Sequence, residues 1–378
     1  MAISIHSRPA RSHLQYVFIA ATVLAAFMAV VPIAAAIVTG TPLGTTPKTA
    51  FATAPGGSYA VVARPEDEYD VVVVVPVSGG EPVEVARVPH LHGFTASGSV
   101  SPTGRQLALV TVNDGSPTRP EASLVVLDLE SGVIKHLAHD VSPLQTALWS
   151  PDGRSLVVTR ELDSGKARPD IRFLSVSLSD GAAAELFVVP SPLGAYAIGF
   201  DPGGALFTVT IDGAGSRLVR NGAAGFLLST QITRDWRLNP AGTRIAFVEV
   251  NLENGLRYLA RTVNVDGSDT SAVEAQSASP VGQELGAAWK PGAVAATFGR
   301  EPAGPARSSE IGGVQAQAHS VAGFDVPLGY APDGLTLSVT HWTGSSFGQP
   351  GTSMLQLVAD SGRVDVPNFT RFFGWAAR

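Results

Sequence analysis

Two histidines, an arginine–aspartate–tryptophan run and a glycine–serine string are the parts of this chain whose residue types could do chemistry. His90 and His92 are spaced so that an extended backbone would point both imidazoles the same way. Such a pair could ligate a metal through nitrogen, with a carboxylate from elsewhere as third ligand. No further histidine has metal-like spacing nearby, so hydrogen bonding to backbone and water is the simpler account and no metal is assigned. His136 and His139 read as surface residues. Arg234-Asp235-Trp236 combines a cation with an adjacent aromatic, the residue types that anchor interfaces, although an arginine and an aspartate in one segment also pair with each other. Gly344-Ser-Ser346-Phe-Gly348 matches the G-x-S-x-G pattern of serine hydrolases, but that chemistry needs a strained strand-to-helix turn and this stretch falls between two strand-like runs. Asp266-Gly-Ser-Asp269 resembles a fragment of a calcium loop without its bidentate glutamate, and Asp-Gly is ordinary turn chemistry. The chain contains no cysteine, which excludes a thiol nucleophile, a thiolate metal site and disulfides.

The elements that would position these residues are written as a repeat. Seven times the chain places an apolar residue, a small or polar one, Pro, a short spacer and Gly ahead of a strand-forming run. The prolines are Pro55, Pro102, Pro151, Pro202, Pro240, Pro291 and Pro332, at intervals of 38 to 51 residues. Pro presets φ, a neighbouring Asp, Asn or Ser bonds the local backbone, and Gly accepts the positive φ that closes a tight turn. Runs such as Leu107-Ala-Leu-Val-Thr-Val and Ile245-Ala-Phe-Val-Glu-Val follow, β-branched and apolar, and two more strand-like runs complete most repeats. The pattern predicts an all-β fold: a seven-bladed β-propeller of four-stranded antiparallel blades, preceded by one hydrophobic N-terminal helix. The sixth repeat is weak, because Glu301 to Gly313 is rich in Pro, Gly, Ala and Ser and only Val314 to Val321 is strand-like. Trp375 falls where an eighth anchor aromatic is due, so Phe369 to Trp375 reads as an inner strand without a blade of its own. Either it shares the first blade, which removes an exposed edge and is physically favoured, or it packs as an extra strand.

In a propeller the start of each inner strand surrounds the mouth of the central channel. By repeat alignment these positions are Gln145, Tyr196, Arg234, Asp235, Trp236, Glu284, Asp325 and Arg371. Arg234, Asp235, Trp236, His90, His92 and Arg371 form the candidate binding set. Trp149, Trp289 and Tyr330 recur at the anchor slot and are expected to pack between blades.

Trp149-Ser-Pro-Asp-Gly-Arg-Ser-Leu-Val-Val-Thr, with Ala331-Pro-Asp-Gly-Leu-Thr-Leu-Ser-Val-Thr, resembles the repeat of TolB-like WD-type propellers, over roughly residues 48 to 378. The resemblance implies a platform that binds other proteins through its propeller face, tethered or secreted at the cell envelope. It is also similar to the propeller of prolyl oligopeptidases, but the chain lacks the roughly 250 further residues of a hydrolase domain. It shows no obvious extra N-terminal α/β domain of the TolB kind.

Residues 1–40 form a separate segment, with 41–378 as the propeller. Arg8 and Arg11 precede Tyr16 to Val38, 23 residues without a charge. This reads either as a signal peptide cleaved after Ala36, for which Pro32 and Ala34-Ala35-Ala36 argue, or as an uncleaved membrane anchor, for which its length argues. In both cases the positive residues lie N-terminal, which places the propeller outside the cytoplasm. The net charge of −6 offers no basic surface, so nucleic acid is not an expected partner. The resulting expectation is a non-catalytic binding or scaffolding module for a protein or envelope component, with no cofactor, touching the membrane through the N-terminal segment if it stays attached. The alternative is a propeller-type enzyme, a metal-dependent lactonase, hydrolase or lyase, with its site in the central channel.

Overall fold

The Pro-Gly punctuation makes the turns expected of it. In the computed structural model, which describes residues 51–116, 119–163, 165–251, 257–272, 284–300, 323–345, 349–369 and 371–378, Gly104, Gly153, Gly242 and Gly334 donate back to Ser101, Ser150, Asn239 and Ala331 at 2.8–2.9 Å. Their φ values lie between 67° and 71°, a left-handed conformation that a Cβ disfavours. Each turn joins an inner strand to the next strand outward, and antiparallel pairing continues to the rim.

Counting outward, the first blade is Arg371–Ala377, Ser58–Pro65, Tyr69–Pro76 and Val83–Pro89. The second is Ser97–Val100, Gln106–Ser116, Arg119–Asp128 and Ile134–Val141; the third is Leu148–Trp149, Ser155–Leu162, Asp170–Ser177 and Ala183–Val189. The fourth is Gly194–Phe200, Leu206–Asp212, Gly215–Arg220 and Phe226–Ser229; the fifth is Ile232–Leu238, Arg244–Asn251, Arg257–Asn264 and Ser271–Ala272. The last blade is Phe324–Tyr330, Leu337–Trp342, Ser353–Ala359 and Gly362–Val366. Among the described residues, therefore, six blades are four-stranded, not the seven expected. The sixth repeat contributes a two-stranded sheet, Glu284–Trp289 with Ala296–Arg300. The sequence that follows has Pro302, Gly304 and Pro305, residues that work against ladder pairing. Residues 301–322 lie outside the described residues, as does the expected hydrophobic helix within residues 1–40. Among the described residues no helix is long and apolar enough to cross a membrane.

The C-terminal strand joins the first blade. Ser58 pairs with Ala377 and Ala60 with Trp375, and Gly57 and Arg378 exchange two backbone hydrogen bonds of 3.0 Å. Arg371–Ala377 thus completes the first blade as its inner strand, and the inner edge of Ser58–Pro65 is paired. Gly104 of the second blade lies so close to this strand that a Cβ there would sit 2.6 Å from the Ala377 nitrogen.

The core consists of the layers between neighbouring sheets. Val61, Val72 and Phe373 pack on Leu107, Leu109 and Leu127; Ala108 and Leu124 on Trp149 and Leu156; and Phe207 and Leu218 on Ile245 and Phe247. Val157 and Phe173 pack on Ala195 and Leu206, Ala246 on Trp289 and Phe298, Ala288 on Leu337 and Val339, and Leu355 and Leu357 on Ala60, Val71 and Trp375, which closes the circuit. Fully burying such a side chain contributes about 1.5–3 kcal/mol. The anchor tryptophans add a directional link. The Nε1 of Trp149, Trp289 and Trp375 donates to the carbonyl of Ser99, Arg237 and Gly329, at 2.8, 2.8 and 3.3 Å. In each case the acceptor immediately precedes the anchor residue of the previous sheet. The anchor aromatics are inter-blade clamps.

Candidate functional site

The inner strands enter from connections that leave the rim of the preceding sheet, so those connections and the turns between second and third strands share one end of the blades. Most of the candidate residues fall there, but their side chains are distributed differently from the sequence expectation.

Arg234, Asp235 and Trp236 sit in the inner strand of the fifth blade, where the pairing register slips between Arg234 and Arg237. The slip leaves Asp235 left-handed, with φ 55°. In repeat alignment Asp235 corresponds to Gly286, whose φ is 67°, so an aspartate occupies a conformation that glycine meets at lower cost. Asp235 accepts a short hydrogen bond from Arg234, and both side chains are about one-third exposed (33% and 34%). The Trp236 indole nitrogen donates to Thr233 Oγ1 at 2.7 Å, and its ring lies on Tyr196 of the fourth blade with centroids 4.9 Å apart. Burial pushes the Tyr196 hydroxyl above its ordinary pKa. Gln145, on the preceding connection, donates to the Ala195 carbonyl beside Tyr196. The connections also present Leu144 and Leu193 to solvent, 74% and 54% exposed. Gln145, the Tyr196–Trp236 stack and Arg234 thus follow one another across three successive connections, two of which expose Leu144 and Leu193.

His90 and His92 do not act as a pair. The chain turns after His90, with Phe94 N donating to the Leu91 carbonyl at 3.0 Å, so His90 is buried and His92 faces solvent. The same-side expectation fails because it assumed an extended connection. His90 Nδ1 lies 2.9 Å from the Leu91 carbonyl and its Nε2 3.9 Å from Asp70 Oδ2. Asp70 is fully buried and accepts from the Ala96 amide at 2.5 Å. Burial raises its carboxyl pKa, and the Ala96 hydrogen bond with the charges of His90 and Arg371 only partly offsets that. Arg371 itself is exposed, at the first position of the closing strand. Asp70 was not singled out from sequence, yet its role recurs. Asp170 accepts from the Ser191 amide at 2.9 Å, and Ser216 Oγ accepts from the Thr233 amide at 3.1 Å. Each sits at the start of a third strand and ties down the connection to the next sheet. A polar residue opening the third strand was the available signal.

Asp325 is buried rather than displayed at a mouth. It accepts from His341 Nδ1 at 2.7 Å and from Arg363 Nη1 and Nη2 at 3.2 and 2.6 Å. Burial drives its carboxyl upward, but the His341 and Arg363 hydrogen bonds and charges more than reverse this, leaving it below the ordinary carboxylate range. The Glu284 side chain and residues 346–348 of the G-x-S-x-G string lie outside the described residues. Asp266 accepts from Ser268 N and Oγ, and Asp269 pairs with Arg244 at 2.6 Å, which is turn chemistry. Among the described residues no group of three or more His, Asp or Glu is placed to hold a metal ion.

A cavity of about 380 Å³ opens beside the connection between the fourth and fifth blades, lined by Ser229, Thr230, Gln231, Phe247, Glu249 and Arg261 among others. Ser229 Oγ donates to Glu249 Oε2 at 2.7 Å, and Arg261 Nη2 lies 3.3 Å from Glu249 Oε1. Sequence reasoning missed this site, because its residues meet only when two blades pack.

Among solved structures the chain is similar to TolB from Acinetobacter baumannii, with 13% identity, 85% of this chain and 66% of that one covered, and a TM-score of 0.51. The fold is that of a TolB-like β-propeller. It thus spans slightly under two thirds of that TolB. The propeller domain of the Trilobed protease from Pyrococcus furiosus, which has an open velcro topology, is similar at 13% identity over 83% of this chain and 95% of that one (TM-score 0.51). An oligogalacturonate lyase from Vibrio parahaemolyticus matches at 11% identity over 80% and 92% (TM-score 0.51). At such identities the likeness is one of fold alone, and the neighbours include both a TolB and an enzyme. No protein-family model matches the chain, and no curated protein matches it.

Proposed function

We propose that the protein is a non-catalytic, extracytoplasmic β-propeller that docks a protein or other envelope component on the connection end of its blades. The patch running from Leu144 through the Tyr196–Trp236 stack to Arg234 carries this reading. It joins exposed leucines to the aromatic and arginine side chains that dominate interface energetics. The contacts within it hold the side chains in place before a partner arrives, which lowers the entropy cost of binding. His92 and Arg371 are exposed on other connections and would extend the footprint. In this reading residues 41–378 form the propeller, with the two-stranded sixth sheet as the inner half of a seventh blade. Residues 1–40 direct export, as a cleaved signal or a retained anchor.

The test is affinity capture from solubilised membranes of the native host with the wild-type chain and a Leu144→Asp/Leu193→Asp variant. A partner retained by wild type and lost by the variant, at unchanged thermal stability, supports the reading. Equal recovery by both sinks it. Mass spectrometry of the mature N-terminus separates cleavage from anchoring.

The cavity around Glu249 and Arg261 favours a second reading, that of a propeller enzyme acting on a polar substrate such as a lactone or an oligogalacturonate. Turnover of either that is abolished by Glu249→Gln would establish it in place of the first.

A further inference from the structure

The outer strand of the second blade brings two histidines together in a way their spacing does not foretell. In a regular strand residues three apart face opposite sides. Here the ladder slips between Leu124 and Val125, so His136 pairs with Val125 and His139 with Ser123, and both imidazoles emerge on one face. The rings are nearly parallel, 17° between planes, with centroids 6.2 Å apart. Both residues are exposed.

Ser123 Oγ, buried in the third strand, lies 3.2 Å from Asn113 Oδ1 and 3.1 Å from His139 Nδ1, so the His139 ring is held through Nδ1 and its Nε2 is the nitrogen turned away from the serine. A buried partner of this kind orients a metal-ligating histidine. The backbone is held as well: Arg160 donates to the carbonyls of His139 and Asp140 at 2.8 and 2.7 Å, and its guanidinium pairs with the Asp140 carboxylate at 3.3 Å. The His136 imidazole makes no side-chain hydrogen bond among the described residues, so its ring is free to turn.

We propose that His136 and His139 together bind one borderline divalent cation, zinc or copper(II), on the outer strand of the second blade. Metal–nitrogen bonds of about 2.0–2.1 Å bring two ligating nitrogens to within roughly 4 Å of each other, so binding would draw together two exposed rings whose centroids already lie 6.2 Å apart. Two imidazoles select zinc, copper or nickel over the oxygen-seeking magnesium and calcium. The remaining coordination positions are open to water or to a donor from a partner. The site stands independently of the docking patch.

Calorimetric titration of the full chain, free of any added histidine tag, with zinc sulfate tests this. It is expected to show one saturable ion per chain, and the copper(II)-loaded form should give an electron paramagnetic spectrum with two nitrogen couplings. His136→Ala and His139→Ala should each abolish saturable binding, and Ser123→Ala should weaken it about ten-fold by freeing the His139 ring, while His92→Ala leaves it unchanged. Both histidines are exposed, so these variants should melt as wild type does. Absence of saturable uptake, uptake that survives the His136→Ala/His139→Ala double variant, loss with His92→Ala, or a single nitrogen coupling would each overturn the proposal.

Discussion

Replacing Asp325 by asparagine isolates one strong electrostatic element of the ring. Asp325 is 1% exposed and receives three charge-assisted hydrogen bonds, at 2.7, 3.2 and 2.6 Å, from His341 and Arg363. The Arg363 side chain is only 14% exposed and also donates to Gln356 Oε1 at 2.6 Å. Asparagine keeps the shape but removes the countercharge, leaving a largely buried guanidinium uncompensated. Breaking a buried pair in this way costs about 3–5 kcal/mol, so the folded-to-unfolded ratio falls by more than about 100-fold. Urea unfolding followed by tryptophan fluorescence and far-ultraviolet dichroism should show a lower midpoint at unchanged slope. Asp325→Asn/Arg363→Met, which removes the orphaned cation, should recover part of the loss. The pH dependence gives an independent check. Because the folded-state pKa of Asp325 is depressed, its contribution is full above the unfolded carboxylate value and is lost as pH falls through the folded value. The gap between wild type and Asp325→Asn should therefore be widest near neutrality and close in acid. A loss under 1 kcal/mol at pH 7, or a gap that does not narrow in acid, would refute the reasoning.

The inter-blade clamp predicts that Trp149→Phe costs about 1 kcal/mol, the worth of one hydrogen bond to Ser99, whereas Trp149→Ala costs about 3–5 kcal/mol, both read from urea midpoints. Asp70 behaves oppositely to Asp325. Its raised pKa means that stability present when it is protonated is lost as pH rises through the folded value, and asparagine can still accept from the Ala96 amide. Asp70→Asn should accordingly melt at or slightly above wild type at pH 7, with the advantage disappearing in acid. Removing residues 371–378 strips the inner strand from the first blade together with Trp375, and limited proteolysis should then cut the first and last blades well before the third or fourth.

The anchor turns were legible because they are local. A Pro presets one dihedral and a Gly accepts the next, so Ser150-Pro151-Asp152-Gly153 specifies its turn from four residues alone. The apolar, β-branched run from Leu107 to Val112 likewise marks a strand whatever it packs against. Trp375 carried the anchor aromatic and left the last strand two placements, of which the structure takes the one that was physically favoured, in the first blade. The sixth repeat marked the limit of that logic, because punctuation was present there without a full complement of strand-forming sequence.

Side-chain convergence was not legible in the same way. One residue of slip reverses which face a side chain takes, and slips depend on how neighbouring strands twist and pack. A bulge turned His136 and His139 into neighbours, and a turn in the connection separated His90 from His92. Asp325 looked like a mouth residue until His341 and Arg363, 16 and 38 positions away, closed around it. By itself the sequence determined the repeat and its turns, because these rest on backbone preferences within a few residues and on runs of strand-forming residues, whereas the pairing of the last strand with the first blade was decided by the ladder between them. Tertiary structure alone decided which charges are buried together and which imidazoles meet, because those outcomes depend on ladder register and on the packing of one blade against the next.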